Sequence, residues 1–319
     1  MLYSAGGGKF LGKIAVELER ALAERDLAGG PGGVAARILA QGGGLWQVSD
    51  VVCTSGPADR AFEERHAHVC IALVVAGSFG YRSSACAACG DLMTPGAIML
   101  GNAGQAFECG HDHGRGDRCV AFHYAPEYFE RLTQEANGPA FFRMAKAAPA
   151  RWSSPLLARA CAGLTASAER KDAPARRTAS GMFWEELAAE VAIRAARTIT
   201  GYDTAANSVP LNAAARVTEI VRRIERAPQE TLPLDAMAMS ARLSPYHFLR
   251  TFEALTGTTP HQFVLRTRLR EAALRLIAEP ERVIDIAYDC GFGDVSNFNH
   301  AFCAEFGVSP RAYRNNAGR

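Results

Sequence analysis

The chain has 319 residues, 48% of them hydrophobic and 21% charged, with 35 Lys plus Arg against 33 Asp plus Glu. No run approaches the roughly 20 apolar residues that cross a bilayer, the best being Val69 to Gly77, and no basic patch with an apolar core and cleavage site opens the chain. No membrane span and no secretion signal are expected from these features, and a cytoplasmic protein of about two domains with reduced thiols is the expectation. The formal net charge is only +2. From Leu211 onward there are 14 Arg, no Lys and 12 acidic residues. Any nucleic-acid affinity must therefore come from a local arginine face.

In chain order, Gly6-Gly7-Gly8, Gly29 to Gly33 and Gly42 to Gly44 read as linkers around an amphipathic helix near Phe10 to Leu27. Residues 1–44 are thus expected to be a flexible extension. Residues 45–125 change texture to short runs of Val, Ile, Phe and Cys, interrupted every eight to twelve residues by Gly, Pro, Asn or Asp, the spacing of an all-β sandwich or barrel. Strands are predicted at Gln47–Thr54, Val69–Ala76, Gly80–Ser84, Ala97–Gly101, Gln105–His111 and Arg118–Tyr124, after which strand signals stop.

Within this β region lies Cys109-Gly110-His111-Asp112-His113-Gly114-Arg115-Gly116-Asp117-Arg118-Cys119. Two thiols and two imidazoles are a donor set preferred by zinc and similar borderline-soft ions. On one strand Cys109, His111 and His113 share a face, and Cys119 joins them only if the turn pairs it with an odd-numbered residue. Three readings stand: a zinc or iron site at Cys109, His111, His113 and Cys119, a thiol redox sensor, or a structural hairpin with surface histidines. Cys86-Ala87-Ala88-Cys89 adds a weaker half-site. Cys53 and Cys70 read as small buried hydrophobes, and His123 as a strand residue.

Residues 126–200 are predicted to be helical, with Pro155–Arg170 and Gly181–Thr198 rich in Ala and Leu. Phe183, Leu187, Val191 and Ala195 recur at helical spacing and form either the cover of the β core or a dimer seam, from which a homodimer is expected. Residues 201–211 are polar and read as a linker.

Residues 212–319 contain one pattern twice. Met237-Ala238, Leu243, Phe248, Phe252, Gly257 and Thr259-Pro260 recur as Ile286-Ala287, Phe292, Phe298, Phe302, Gly307 and Ser309-Pro310, with one residue inserted. Two short helices per unit, seen only twice, indicate a duplicated helix-turn-helix. Ser244-Pro245 is a cap followed by proline at the first helical position, and Gly257 stops the helix. Phe248, Phe252 and Leu255 bury one face, which leaves Tyr246, Leu249, Arg250 and Glu253 outward. In the second unit Val295, Ser296, Asn299 and His300 face outward. Arginine can bond bidentately to guanine and asparagine to adenine in the major groove. A longer helix from Pro260 through Ala278 would hold both units at fixed separation.

The stretch from Leu232 to Arg314, with Cys290-Gly291-Phe292, Phe306-Gly307-Val308-Ser309-Pro310 and Tyr313-Arg314, resembles the signature of AraC/XylS transcription regulators. The resemblance implies binding to double-stranded promoter DNA, often with activation of RNA polymerase. By position, DNA-contacting residues are expected at Tyr246, Leu249, Arg250, Val295, Ser296, Asn299 and His300. Leu249 stands where several members carry a polar base reader. The β region resembles the cupin-like N-terminal domain of many members through His66-Ala67-His68, Gly77 and Gly90 to Gly96. That likeness implies a pocket for a small-molecule or metal effector, with His66 and His68 lining it. No Glu follows His66-Ala67-His68, which disfavours the alternative of a metal-dependent cupin enzyme fused to a DNA-binding domain. The fold expected is α+β, an N-terminal cupin-like β-barrel with flanking helices and a C-terminal all-α domain of two helix-turn-helix motifs.

Overall fold

The computed structural model describes residues 10–83, 91–112, 114–135, 138, 140–147, 153–168, 177–199 and 211–317. Helix α1 (Phe10–Ala28) precedes strands β1 (Val34–Gly42), β2 (Trp46–Cys53), β3 (Phe62–Arg65), β4 (Val69–Gly77), β5 (Phe79–Ser83), β6 (Asp91–Met93), β7 (Ile98–Gly101), β8 (Ala106–Gly110) and β9 (Asp117–Tyr124). Then come α2 (Pro126–Glu135), the short strand β10 (Lys146–Ala147), α3 (Ser153–Ala168) and α4 (Arg177–Ile199). The C-terminal helices are α5 (Leu211–Arg226), α6 (Leu234–Ser240), α7 (Pro245–Thr256), α8 (Pro260–Ala278), α9 (Val283–Asp289), α10 (Val295–Phe306) and α11 (Pro310–Ala317).

The expected barrel is corrected. Among the described residues the strands form two separate sheets, one ordered β1-β2-β9-β4-β7-β10 and the other β3-β8-β5-β6. Strand β4 shows why. Its alternate residues serve two different cores: Ile71, Leu73 and Val75 pack with the helices, while Cys70, Ala72 and Val74 face the second sheet. Strand β9 divides in the same way, with Val120, Phe122 and Tyr124 on the helix side and Cys119 and Ala121 on the other. A central strand covered on both faces reads as a continuous apolar run. The helix side takes the large residues. The inter-sheet side takes small ones, and space remains between the sheets.

Three further expectations are revised. Over residues 10–44 the expected flexible extension gives way to order: β1 pairs antiparallel with β2 from Val34↔Cys53 to Gly42↔Trp46, and Leu18 of α1 is buried in the main core, while residues 1–9 lie outside the described residues. Gly29 to Gly33 and Gly43-Gly44 are short connections between ordered elements rather than flexible linkers, and the partner strand supplies the order that β1 alone does not encode. Strand pairing also continues past Tyr124, since β10 joins β7 through Lys146↔Met99.

The dimer seam is the third. Leu187, Val191 and Ala195 of α4 are buried in the same core as Tyr124 and Phe129, and Tyr124 Oη donates to the Ala188 carbonyl at 2.7 Å. That stripe is covered by the chain's own β sheet, so the reason to expect a homodimer there is removed. Residues 201–210 of the predicted linker at 201–211 and Cys86 to Cys89 lie outside the described residues, and Leu211 already opens α5.

Across the interior strands β2 and β9 a charged knot joins elements far apart in sequence. Arg118 donates to both carboxylate oxygens of Asp50 at 2.9 and 3.0 Å, and also meets Glu17 of α1 at 2.6 Å. Arg118 is 2% exposed, and pairing with two carboxylates satisfies a guanidinium that could not otherwise leave water.

Candidate nucleic-acid interface and inter-sheet pocket

The repeat seen in the sequence is a repeat of structure down to its caps. Ser244 Oγ accepts from the His247 amide before α7, and Asp294 Oδ1 accepts from the Asn297 amide at 2.7 Å before α10. Both helices end on a left-handed glycine, Gly257 at φ 75° and Gly307 at φ 76°. The turns inside the units also correspond: Gly291 has φ 89° and its counterpart Arg242 has φ 53°.

Phe248, Phe252, Phe298 and Phe302 are fully buried and orient the two second helices. On the opposite surface Arg250 of α7 and Ser296 and His300 of α10 are exposed, while Leu249, Val295 and Asn299 are half-buried. Tyr246 lies in α7, but its side chain is outside those described. His247 and Asn297, at equivalent positions of the repeat, are exposed on the same helices and were not singled out from sequence.

Helix α8 belongs to both units. Phe263 packs in the first core, and Leu269, Ala272 and Leu276 pack in the second. Thr259 and Gln262 form a reciprocal capping box at its start. Arg268 donates to the carbonyls of Pro228 at 2.6 Å, Gly291 at 2.7 Å and Glu230 at 3.1 Å, which ties α8 to the turn of the second unit.

The β half holds the backs of both units. Leu92 of β6 joins the core of the first, and Lys146 Nζ donates to the carbonyls of Leu92 at 2.8 Å and Leu255 at 2.6 Å. Burial pulls the Lys146 ammonium down to about 8, a drop that Asp91 partly offsets. Ser154 of α3 bonds Glu305 of α10, and Arg270 of α8 donates to the Pro95 carbonyl at 3.4 Å. A smaller cavity of about 290 Å³ lies in this seam beside Arg222, Glu225 and Arg270.

Between the two β sheets is a cavity of about 620 Å³, lined by apolar residues such as Trp46, Phe62, Met99 and Phe107 and by His66, His68, His111 and His123. His66 is buried, stacks on Phe107 with ring centroids 4.1 Å apart, and its Nε2 lies 2.9 Å from Tyr81 Oη. Burial, helped by His123, lowers the His66 imidazole to about 4. His68 is exposed.

The predicted hairpin at Cys109 to Cys119 is corrected. Strand β8 pairs with β3 and β5, whereas β9 pairs with β2 and β4, so the connector carries the chain from one sheet to the other. Cys109 and Cys119 nevertheless meet in one inter-sheet cluster, approached from opposite sheets. Burial pushes both thiols up, and Asp117 adds to the rise. His111 is 4% exposed, with Nε2 2.7 Å from Asp117 Oδ1. Burial would lower this imidazole, but its contacts with Asp117 and Cys53 outweigh that and hold it at about 9. Among the described residues the donors at ligand spacing are Cys53, His111 and Asp117. His113 lies outside those residues. Asp117 was passed over because its partner Cys53 is 64 positions away in sequence, and only strand pairing brings the two together.

Two helix-turn-helix units on one shared helix define a nucleic-acid-binding domain. Residues 237–316 match the family described as "Helix-turn-helix domain". The chain is 31% identical over 104 residues to the HTH-type transcriptional regulator MtrA of Neisseria gonorrhoeae, a match over 33% of this chain and 35% of that protein. It is 31% identical over 96 residues to the HTH-type transcriptional activator RhaS of Mannheimia succiniciproducens, covering 30% and 36% respectively. The chain therefore spans little more than a third of these relatives' length. Among solved structures, the DNA-binding domain of AdpA in complex with a target DNA is 29% identical, with 32% of this chain and 91% of that chain covered and a TM-score of 0.31. No helix among the described residues is long and apolar enough to cross a membrane.

Proposed function

We propose that this protein is a sequence-specific DNA-binding transcription regulator, an activator whose N-terminal β half senses an effector. The observation that carries this reading is the duplicated unit with matching caps, cores and stop glycines, mounted on one helix. Arg250 and Leu249 read one major-groove segment, together with Tyr246. Val295, Ser296, Asn299 and His300 read the next. RNA polymerase is the partner that an activator bound at a promoter engages.

The cavity between the sheets is the effector pocket. Its aromatic and sulfur-bearing lining fits a compact organic molecule with an apolar body, and His66 and His68 supply the hydrogen-bonding end. Signalling follows from the seam. Leu92 and Lys146 hold α7, and Ser154 holds α10, so an effector that changes the strands around the pocket alters the support of both reading helices. The shift is limited to the effector's differential affinity for the two arrangements.

The test is selection of bound duplexes from a random pool by the full chain, followed by salt titration. A two-part consensus with its parts about one turn apart is expected. Equal affinity for all duplexes would remove the sequence-reading role.

A further inference from the structure

Two strand ends and one connector meet at the floor of the inter-sheet pocket. Cys53 closes β2, Asp117 opens β9 as its register partner, and His111 follows β8. One donor atom from each of Cys53, His111 and Asp117 lies within 4.8 Å of the others, and all three residues are buried. Cys119 Sγ donates to Asp117 Oδ2 at 3.4 Å, so a second thiol is turned onto the same carboxylate. On the other side of the ring, His111 Nδ1 is buried with no hydrogen-bond partner.

A structural imidazole–carboxylate pair accounts for the 2.7 Å contact but not for the rest. It leaves unexplained why two thiols converge there and why a buried ring nitrogen is bare, an arrangement that folded chains ordinarily avoid. Thiolate, imidazole and carboxylate together are the donors of tetrahedral zinc and of ions of similar softness. Calcium and magnesium, which take oxygen donors, are a poor match.

We propose that Cys53, His111 and Asp117 form a three-donor binding site for a zinc-like divalent ion at the floor of the pocket, with Cys119 behind it as a hydrogen-bond partner of Asp117. The set differs from the one the sequence suggests: Cys53 and Asp117 enter, and Cys109 stays in the apolar wall. The ion would clamp the ends of β2 and β9 to the connector that crosses between the sheets. This deepens the reading of the pocket as the sensing site.

The experiment is titration of the full chain with cobalt(II), followed by zinc competition. One equivalent of cobalt should bind with a thiolate charge-transfer band. Cys53→Ser should abolish that band and weaken zinc at least tenfold, while Cys303→Ser, at an exposed thiol, should leave both unchanged. X-ray absorption on the zinc-loaded wild type, which needs no substitution, should show a mixed sulfur and nitrogen/oxygen shell. Absence of the band, its survival in Cys53→Ser, its loss in Cys303→Ser, or a zinc shell without sulfur each overturns the proposal. DNA binding measured on the same samples keeps the two readings apart. Sequence-specific binding without metal uptake ends the metal site alone, and uptake at Cys53 without specific DNA binding ends the regulator reading alone.

Discussion

Lys146 reaches from a two-residue strand in the β half to the backbone carbonyl of Leu255, 2.6 Å away at the end of α7. Its second bond, to Leu92, makes one ammonium the link between two halves of the chain. Lys146→Met should leave two carbonyls without this donor, at a cost of about 1–3 kcal/mol in stability, and should speed amide exchange in the last turn of α7. The pH dependence has a definite sign. With its folded value near 8 and its ordinary value at 10.5, the unfolded chain binds the extra proton between those limits, so this residue makes stability rise with pH across that window. Denaturant titrations from pH 7.5 to 10.5 should show a steeper rise in wild type than in Lys146→Met. Parallel curves would mean that Lys146 is not held as described.

Arg250 should distinguish base reading from simple attraction to phosphate. Arg250→Ala should cost about 1–3 kcal/mol at a selected site and relax preference at one base pair. Asn299→Ala should do the same at a base pair in the other segment. Competition binding against random duplex decides: an equal loss on both DNAs assigns the residue to the backbone.

The two turn positions of the repeat should respond oppositely. Arg242 carries a side chain at φ 53°, where glycine is more comfortable, so Arg242→Gly should raise stability by up to about 1 kcal/mol. At Gly291 a Cβ would come within 2.7 Å of the Gln229 Cα, and Gly291→Ala should therefore lower stability by about 1–3 kcal/mol or more. Thermal unfolding of both variants checks the pair, and a stabilised Gly291→Ala would contradict the packing of that turn.

Acid should loosen the pocket through His66. Its folded value near 4 lies below its ordinary 6.5, so the unfolded chain takes up the proton first and stability falls as pH drops from 6.5 toward 4. His66→Gln removes that component. The difference in unfolding free energy between variant and wild type should change by roughly 2–3 kcal/mol over this range. A constant difference would place the imidazole in water.

Leu187 tests the revised role of α4. Because its side chain is fully buried within the chain, Leu187→Ala should cost about 2–5 kcal/mol and leave the oligomeric state unchanged. Light scattering that shows a dimer dissolving without loss of stability would restore the seam.

How much of this was legible depended on range in sequence. The C-terminal units could be read because their determinants are local: a cap, two phenylalanines one turn apart and a stop glycine each act within about a dozen residues. The strands from β2 to β9 that carry Val, Ile and Phe runs were placed within a residue or two. Strand β1 was hidden because its order comes from pairing with β2, and β10 because two residues carry no pattern. The seam on α4 shows the limit of periodicity, since an apolar stripe says that a face is covered but not by what. For Cys109 and Cys119 the error was topological. Adjacent strands in sequence usually pair, and here the chain instead crosses between sheets, which placed Cys53 beside His111 and Asp117.

Helix α8 supplies Phe263 to one unit and Leu269 and Leu276 to the other, and Arg268 pins it to the turn at Gly291. The two reading heads are thereby fixed points on a single gauge. One base pair added between their targets displaces the second by about 3.4 Å along the duplex and turns it by roughly 35° around it, and a rigid gauge cannot follow. Promoters served by such a protein would diverge by point changes inside each half of the target. Insertions and deletions between the halves would be lost from their history.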